Sequence, residues 1–281
     1  MQHIKKYKSD FMACSEDQTA RIAPLVSVIT PVFNCCKFIE QTIESVRAQT
    51  HADWELICVD DCSSDGSSEL VQSFVEQDSR IQLIRLAVNS GAAVARNVAI
   101  AAARGRYIAF LDSDDVWFPD KLECQLEYMQ KTNAPFCFSA YARIDEHNKV
   151  ICTVGVPLRV SYQGLLKTSV IGCLTAIYDT RFFGKVCMPL ARKRQDFALW
   201  LQLLKRIDSA HGIPQVLALY RVRHDSMSAN KFDAARHTWN IYRKVEGFGL
   251  WRSLYYFTHY GTRGFLRSKL PRLARRLHVL D

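Results

Sequence analysis

Residues 107 to 118 read YIAFLDSDDVWF. An apolar, strand-like run leads directly into three carboxylates, Asp112, Asp114 and Asp115. An ionised carboxylate in apolar surroundings is costly unless it is paired or coordinates a metal. Three within four residues also repel one another, so this strand ends on a cluster that requires positive charge from elsewhere.

On either side of this stretch the chain alternates between two periodicities. LVSVIT (25 to 30) is a short β-branched apolar run, the pattern of a buried strand. NCCKFIEQTIESVRAQ places Phe38, Ile39, Ile43 and Val46 on one helical face, with Asn34 as its N-cap. WELICVDD is a second strand, SSELVQSFVEQ a second helix and IQLIRLA a third strand. GAAVARNVAIAAARG is an Ala-rich helix closed by Gly105. RYIAFLD is the fourth strand, and FPDKLECQLEYMQK is a helix with Pro119 in its first turn. Strand and helix in strict alternation form βαβ units around a mainly parallel sheet, an α/β class of fold. Such sheets bind ligands at the carboxyl ends of their strands.

The acids fall on that edge. Asp60 and Asp61 end the second strand, and Asp112, Asp114 and Asp115 end the fourth. Any one of them reads equally well as a turn former or helix cap. Five together read as a cation site. An oxygen-only donor set favours Mg²⁺ or Mn²⁺ over zinc. Mg²⁺ commonly takes one or two carboxylates together with the phosphates of a substrate. The cluster therefore predicts a divalent metal that arrives with a phosphorylated ligand.

Composition and charge bound the remaining choices. At 48% hydrophobic and 23% charged residues the chain is globular in composition. Its first 20 residues are polar and lack the apolar core of a signal peptide. No uninterrupted apolar run reaches the ~18 residues of a membrane span. The ten cysteines contain no C-x-x-C pair, so a cytoplasmic chain with reduced thiols is expected. Residues 1 to 150 hold 21 acids and 15 bases, a net of −6, whereas residues 151 to 281 hold 7 acids and 22 bases, a net of +15. The first half suits a cation and the second something anionic.

Four segments in order, VSVITPVFN, ELICVDDCSSDGS, GAAVARNVAIAAARGRYIAFLDSDD and RQDFALWLQLLK, resemble the family 2 glycosyltransferases of the GT-A fold. Within that family they are most similar to bacterial polysaccharide enzymes of the teichuronic acid, capsule and lipopolysaccharide type. The resemblance implies a nucleotide-diphosphate sugar donor, with UDP the expected nucleotide. It also implies a divalent metal and an inverting transfer to an acceptor hydroxyl. It covers a GT-A domain (25 to 230); by composition, an extension (1 to 24) precedes it and basic amphipathic C-terminal helices (231 to 281) follow. Within the domain, a nucleotide-binding half covers about 25 to 116 and an acceptor half about 117 to 230. Carried over by position, Thr30 and Pro31 line the nucleotide. Asp61 accepts a hydrogen bond from the base, Arg96 lies near the nucleotide, and Asp112 and Asp114 form the D-x-D pair at ribose and metal. Whether Asp114 or Asp115 is the metal ligand stays open. Asp196 in RQDFALW matches the catalytic base. Gln195 precedes it, where the family often has Glu.

The chemistry asks for the same division of labour. An inverting displacement needs charge neutralised on the departing diphosphate. It also needs a carboxylate to take the acceptor proton on the opposite side of the sugar. Asp112 to Asp115 supply one centre and Asp196 the other. The cations of ARKR (191 to 194), Arg194 included, either favour the ionised form of Asp196 and meet an anionic acceptor or open a solvated helix. Trp200, one turn after Asp196, either stacks on an acceptor sugar or fills the core. Arg221, Arg223 and His224 are placed to reach the diphosphate or metal, or else to end a surface strand.

Residues 247 to 280 contain seven Lys or Arg and no acid, interleaved with Trp251, Tyr255, Tyr256, Phe257, Tyr260 and Phe265. Basic, aromatic-rich amphipathic segments lie on anionic membrane surfaces. That partner is preferred to a helix packed on the core and to nucleic acid, and it puts the enzyme peripherally on the inner face of the plasma membrane beside a glycan or lipid-linked acceptor. Two other functions compete. A phosphatase of the haloacid dehalogenase type also carries D-x-D, but on its opening strand, and gives Asp60 and Asp61 no role. A non-catalytic basic membrane-binding module leaves all five acids unexplained. A dinucleotide-dependent oxidoreductase expects G-x-G-x-x-G after the first strand, where TPVFNCC stands.

Overall fold

The computed structural model describes residues 25–191, 193–223 and 231–269. Each apolar run upstream of Asp112 forms a strand: β1 (Val26–Val32), β2 (Trp54–Asp60), β3 (Ile81–Arg85) and β4 (Tyr107–Phe110). The helices between them are α1 (Ile39–Arg47), α2 (Ser67–Gln77) and α3 (Ala92–Ala102), followed by α4 (Lys121–Thr132). β3, β2, β1 and β4 lie side by side and parallel, the order produced by βαβ crossovers. Thr30 is in register with Cys58 and Val32 with Asp60, so the ends of β1 and β2 finish level.

Beyond β4 the sheet becomes mixed. The added strands are β5 (Val116–Trp117), β6 (Phe136–Ile144), β7 (Val150–Val154), β8 (Arg159–Val160), β9 (Ile177–Asp179) and β10 (Ala210–Arg221). The full order is β3-β2-β1-β4-β9-β6-β10-β5, with β7 on β6 and β8 on β10. β9 runs antiparallel to both β4 and β6, while β10 is parallel to β6. The parallel half thus carries Asp60, Asp61 and Asp112, and a mixed half closes against it.

Alternation along the strands builds two cores. Val26, Val28, Leu56 and Cys58 face α1, α2 and α4, against Ile43, Val71 and Leu126. Ile29, Ile57 and Val59 face the other way, onto Ala95 and Ile100 of α3 and onto α7 (Gln195–Leu204). Two short helices, α5 (Tyr162–Lys167) and α6 (Thr180–Phe183), lie between these parts of the chain. α8 (Lys231–Asn240), one π-helical turn and α9 (Leu250–Lys269) complete the described chain.

Three sequence expectations shift locally. α1 begins at Ile39 rather than at Asn34. Asn34 instead takes a left-handed φ of 46° and accepts a hydrogen bond on Oδ1 from the Ser64 N–H at 2.9 Å, joining the loops after β1 and β2. Pro119 precedes α4 instead of entering its first turn. Gly105 does not close α3. A Cβ there would come within 2.6 Å of the Ser27 nitrogen, so only glycine lets this turn meet β1.

Candidate active site

Asp60 and Asp61 are buried at the end of β2, and Asp61 fixes the neighbouring loop. Its Oδ1 accepts the Ser90 N–H at 2.6 Å and its Oδ2 the Gly91 N–H at 2.8 Å. Gly91 reaches this geometry at φ +89°, a conformation that L side chains rarely adopt. Each carboxylate oxygen keeps a second lone pair. Thr30 is buried in β1, and its Oγ1 has no hydrogen-bond partner among the described residues. Pro31, beside it, is half-buried.

The loop after β1 is stitched to the loop after β2. The Cys35 N–H donates to Ser67 Oγ at 2.8 Å, and the Cys36 N–H to Asp65 Oδ2 at 2.9 Å. These contacts give Asn34, Asp65 and Ser67 a place in shaping the site that the sequence reading missed. The D-G pair at 65 and 66, with Gly66 at φ 90°, was the available turn signal.

Two arginines supply the positive charge that the acids at the end of β4 require. Arg96 of α3 is almost fully buried, and its Nη2 donates to Asp112 Oδ1. Burial works against the arginine's charge, but the surrounding acidic groups, Asp112 foremost, together outweigh it and raise the guanidinium's pKa. Arg223 Nη1 lies 3.2 Å from Asp114 Oδ2. Asp115 is 1% exposed; its Oδ1 accepts the Arg221 backbone N–H at 2.8 Å. Its Oδ2 is buried without a partner among the described residues.

Burial, then the charge of Asp112, pushes the Asp114 carboxyl above its ordinary range, and Arg223 only partly offsets this. Asp115 is pushed up further by burial and by the charges of Asp114 and Asp112. Burial and mutual repulsion thus both act against the ionised forms of Asp114 and Asp115. Among the described residues no three His, Cys, Asp or Glu side chains converge to hold a metal ion. The donor set nevertheless fits a hard cation, because Mg²⁺ needs only one or two carboxylates beside substrate phosphates. A cation there would meet the unpartnered Asp115 oxygen and offset the burial and the Asp112 charge that raise Asp114.

Asp196 is the second residue of α7 and half-buried. Its charge and that of Asp112 both act on Arg96. Asp112, Asp196 and Asp115 also act on the Cys173 thiol, which burial first of all pushes well above its usual range. Cys173 opens a single 3₁₀ turn, Cys173–Thr175, ahead of β9. The charges of the two acidic centres, far apart in sequence, are thus both felt at Arg96 and at Cys173. Cys173 was absent from the sequence reading, since IGCLT carries no motif.

Two sequence assignments are corrected. Trp200 is buried at 0% exposure, edge-on to Phe110 at 5.4 Å and tilted on Phe136 at 5.2 Å. It fills the core and cannot stack on an acceptor. Arg221 does not reach outward to a diphosphate, because it is 2% exposed and turned into the protein. Its Nε donates to the Asp114 carbonyl, Nη1 to the Asp145 carbonyl and Asn148 Oδ1, and Nη2 to Gln41 Oε1. Arg194, at the entry to α7, donates from Nη2 to the Tyr260 hydroxyl, and Lys193 pairs with Asp233. These two ARKR cations therefore meet the C-terminal helices. His224 lies outside the described residues.

One acidic cluster at the carboxyl edge of a parallel half-sheet, facing a second acid on a helix of the mixed half, is the layout of a GT-A glycosyltransferase. The family description "Glycosyl transferase family 2" matches residues 27–153. The chain is 44% identical over 238 residues to TuaG, named as a teichuronic acid biosynthesis glycosyltransferase of Bacillus subtilis, covering 84% of this chain and 94% of that one. It is 40% identical over 218 residues to the Escherichia coli UDP-Glc:alpha-D-GlcNAc-diphosphoundecaprenol beta-1,3-glucosyltransferase WfgD, covering 77% and 85%. The fold matches Staphylococcus aureus TarS in complex with UDP-GlcNAc, with a TM-score of 0.65, 19% identity, and 91% and 79% covered. It also matches a Pyrobaculum calidifontis mannosyltransferase in complex with GDP-Man and Mn²⁺, with a TM-score of 0.61, 18% identity, and 98% and 86% covered. The chain belongs to glycosyltransferase family 2 and is a glycosyltransferase.

Proposed function

We propose that this enzyme transfers a sugar, with inversion, from a UDP-sugar to a hydroxyl of a lipid-linked glycan in cell-surface polysaccharide synthesis. The observation that carries the reading is that the charges of Asp112 and Asp196 both act on Arg96, and those of Asp112, Asp196 and Asp115 on Cys173, with Asp112 hydrogen-bonded to Arg96. The names of the relatives support the choice of donor and acceptor, since WfgD takes UDP-Glc and a diphosphoundecaprenol-linked sugar.

In this reading the nucleotide-binding half is about 25 to 116 and the acceptor half about 117 to 230. Thr30, Pro31 and Asp61 bind the nucleoside, with Asp61 holding the 90–91 loop as well as meeting the base. Arg96 orients Asp112 toward the ribose. Asp114, or Asp115 beside it, holds Mg²⁺ or Mn²⁺, which when bound neutralises charge on the diphosphate. Asp196 takes the proton from the acceptor hydroxyl as the oxygen attacks the anomeric carbon. Asp196→Asn keeps the shape and removes the basicity. It should bind donor as before and transfer ~10²–10⁴-fold more slowly. Normal turnover with a polyprenyl-diphosphate-linked acceptor would remove Asp196 from the role of base.

The membrane reading is supported by the outer face of α9. Leu250, Trp251, Leu254 and Tyr255 form a contiguous exposed stripe, with Trp251 80% exposed. No helix among the described residues is long and apolar enough to cross a membrane. An amphipathic helix with Trp and Tyr on one face and no acid instead lies in the interface plane of an anionic bilayer. The inner face of α9 packs inward, with Ser253 and Tyr256 buried on the core. The segment therefore serves the core and the surface at once, rather than the surface alone.

A further inference from the structure

Arg194 stands at φ 64°, ψ 23°, in the left-handed region, immediately before α7. A bulky residue there is a backbone outlier, and such strain persists where the surroundings over-determine it, commonly at functional sites. Its surroundings are the C-terminal helices. Arg194 Nη2 donates to the Tyr260 hydroxyl at 2.5 Å, and the guanidinium lies 5.7 Å from that ring's centroid. One residue earlier, Lys193 pairs with Asp233 of α8, and His237 lies 3.5 Å from the same carboxylate.

Two consecutive residues are thus each tied to a different C-terminal helix, and Asp196 follows two positions later. α7 has no side-chain N-cap of its own. The conformation of Arg194 sets the direction in which α7 starts and so where the Asp196 carboxylate sits relative to Arg96 and Cys173. We propose that Arg194 and Tyr260 are positioning residues for the catalytic base, so that α8 and α9 form part of the acceptor-side machinery. This rests on the reading of Asp196 as base.

Tyr260→Phe removes one hydroxyl and keeps the ring. It should leave donor affinity, acceptor KM and melting temperature unchanged and lower kcat by about tenfold, within the ~10²-fold that a misplacement of about 1 Å costs. Arg194→Gly relaxes the left-handed residue, so it should fold at least as stably as the parent and show the same loss in kcat. The double variant should lose no more than either single one, because both break the same link. Three results would overturn the proposal. One is an unchanged kcat in Tyr260→Phe while Asp196→Asn is inactive, which leaves the base reading standing. Another is a raised acceptor KM at unchanged kcat, which would make the pair an acceptor contact. The third is normal transfer by Asp196→Asn, which removes the base reading and this inference together.

Discussion

Arg221 donates its backbone N–H to Asp115 Oδ1 and its Nε–H to the carbonyl of Asp114, both at 2.8 Å. One residue of β10 therefore holds both ends of the acidic turn that follows β4. Its remaining hydrogen bonds reach α1 through Gln41 and the 145–148 turn through Asn148. Phe38 lies against the guanidinium, 4.8 Å away. The link from sequence to site here is tertiary: a buried cation fixes the backbone that aims the carboxylates.

Replacing Arg221 with Met should therefore act on the fold first. It removes the side-chain donor to the half-buried Asp114 carbonyl and those to the exposed Gln41 and Asn148 oxygens, while the Asp145 carbonyl keeps the Asn148 N–H. A group left without its partner costs ~1–3 kcal/mol, and only the Asp114 carbonyl is left so, so a loss of about 1–3 kcal/mol is expected. Urea denaturation measures it. A stable variant with weakened donor affinity would instead mean that Arg221 does face the diphosphate.

The three clustered carboxylates at the end of β4, with the Asp115 Oδ2 unpartnered among the described residues, predict metal-dependent donor binding. Calorimetric titration of UDP-sugars should show binding with Mn²⁺ or Mg²⁺ that a chelator abolishes. Asp114→Asn should weaken the metal-dependent part, by about tenfold or more for one lost charged ligand. Equal affinity with and without chelator would refute the metal reading.

The exposed stripe on α9 predicts a separable membrane function. Trp251→Ser with Leu254→Ser removes apolar surface without touching the packed residues Ser253 and Tyr256. The variant should stay folded and transfer normally to a detergent-dispersed acceptor. It should no longer sediment with vesicles of anionic phospholipid. Retained sedimentation would move the attachment elsewhere on the basic half of the chain.

The parallel half and its acids were legible because their signals are local. Each strand and its following helix, with the Asp residues that end β2 and follow β4, lie within about thirty residues, and the period changes at each boundary. The mixed half was not legible, because β9 pairs with β4 and β6 across more than thirty residues, without a hairpin signal. Trp200 stayed ambiguous for a different reason. Residues 197 to 201 of α7 are all buried, so the one-turn spacing from Asp196 does not say which face meets the site. Arg221 was read as outward-facing because a charged residue is rarely fully buried unless paired. Its partners come from three distant segments.

Lys121 provides a test of the interior behind the site. Its Nζ donates to Gln125 Oε1 and lies 4.0 Å from the centroid of the Trp117 ring. Gln125 Nε2 in turn donates to the Thr175 carbonyl at 2.9 Å, in the turn that carries Cys173. Burial lowers the lysine's pKa from 10.5 to about 7. Below about pH 7 both folded and unfolded chains hold the proton, so the stability difference is flat. Between about 7 and 10.5 the unfolded chain holds a proton that the folded chain has lost, so stability rises with pH. The slope reaches at most one proton, ~1.4 kcal/mol per pH unit. Lys121→Met keeps the length of the side chain and removes the ionisation. The variant should be more stable than the parent at pH 6 to 7, with the gap closing as pH rises toward 10, in urea titrations at each pH. Parallel stability curves for the two proteins across that window would show that Lys121 keeps its proton when folded.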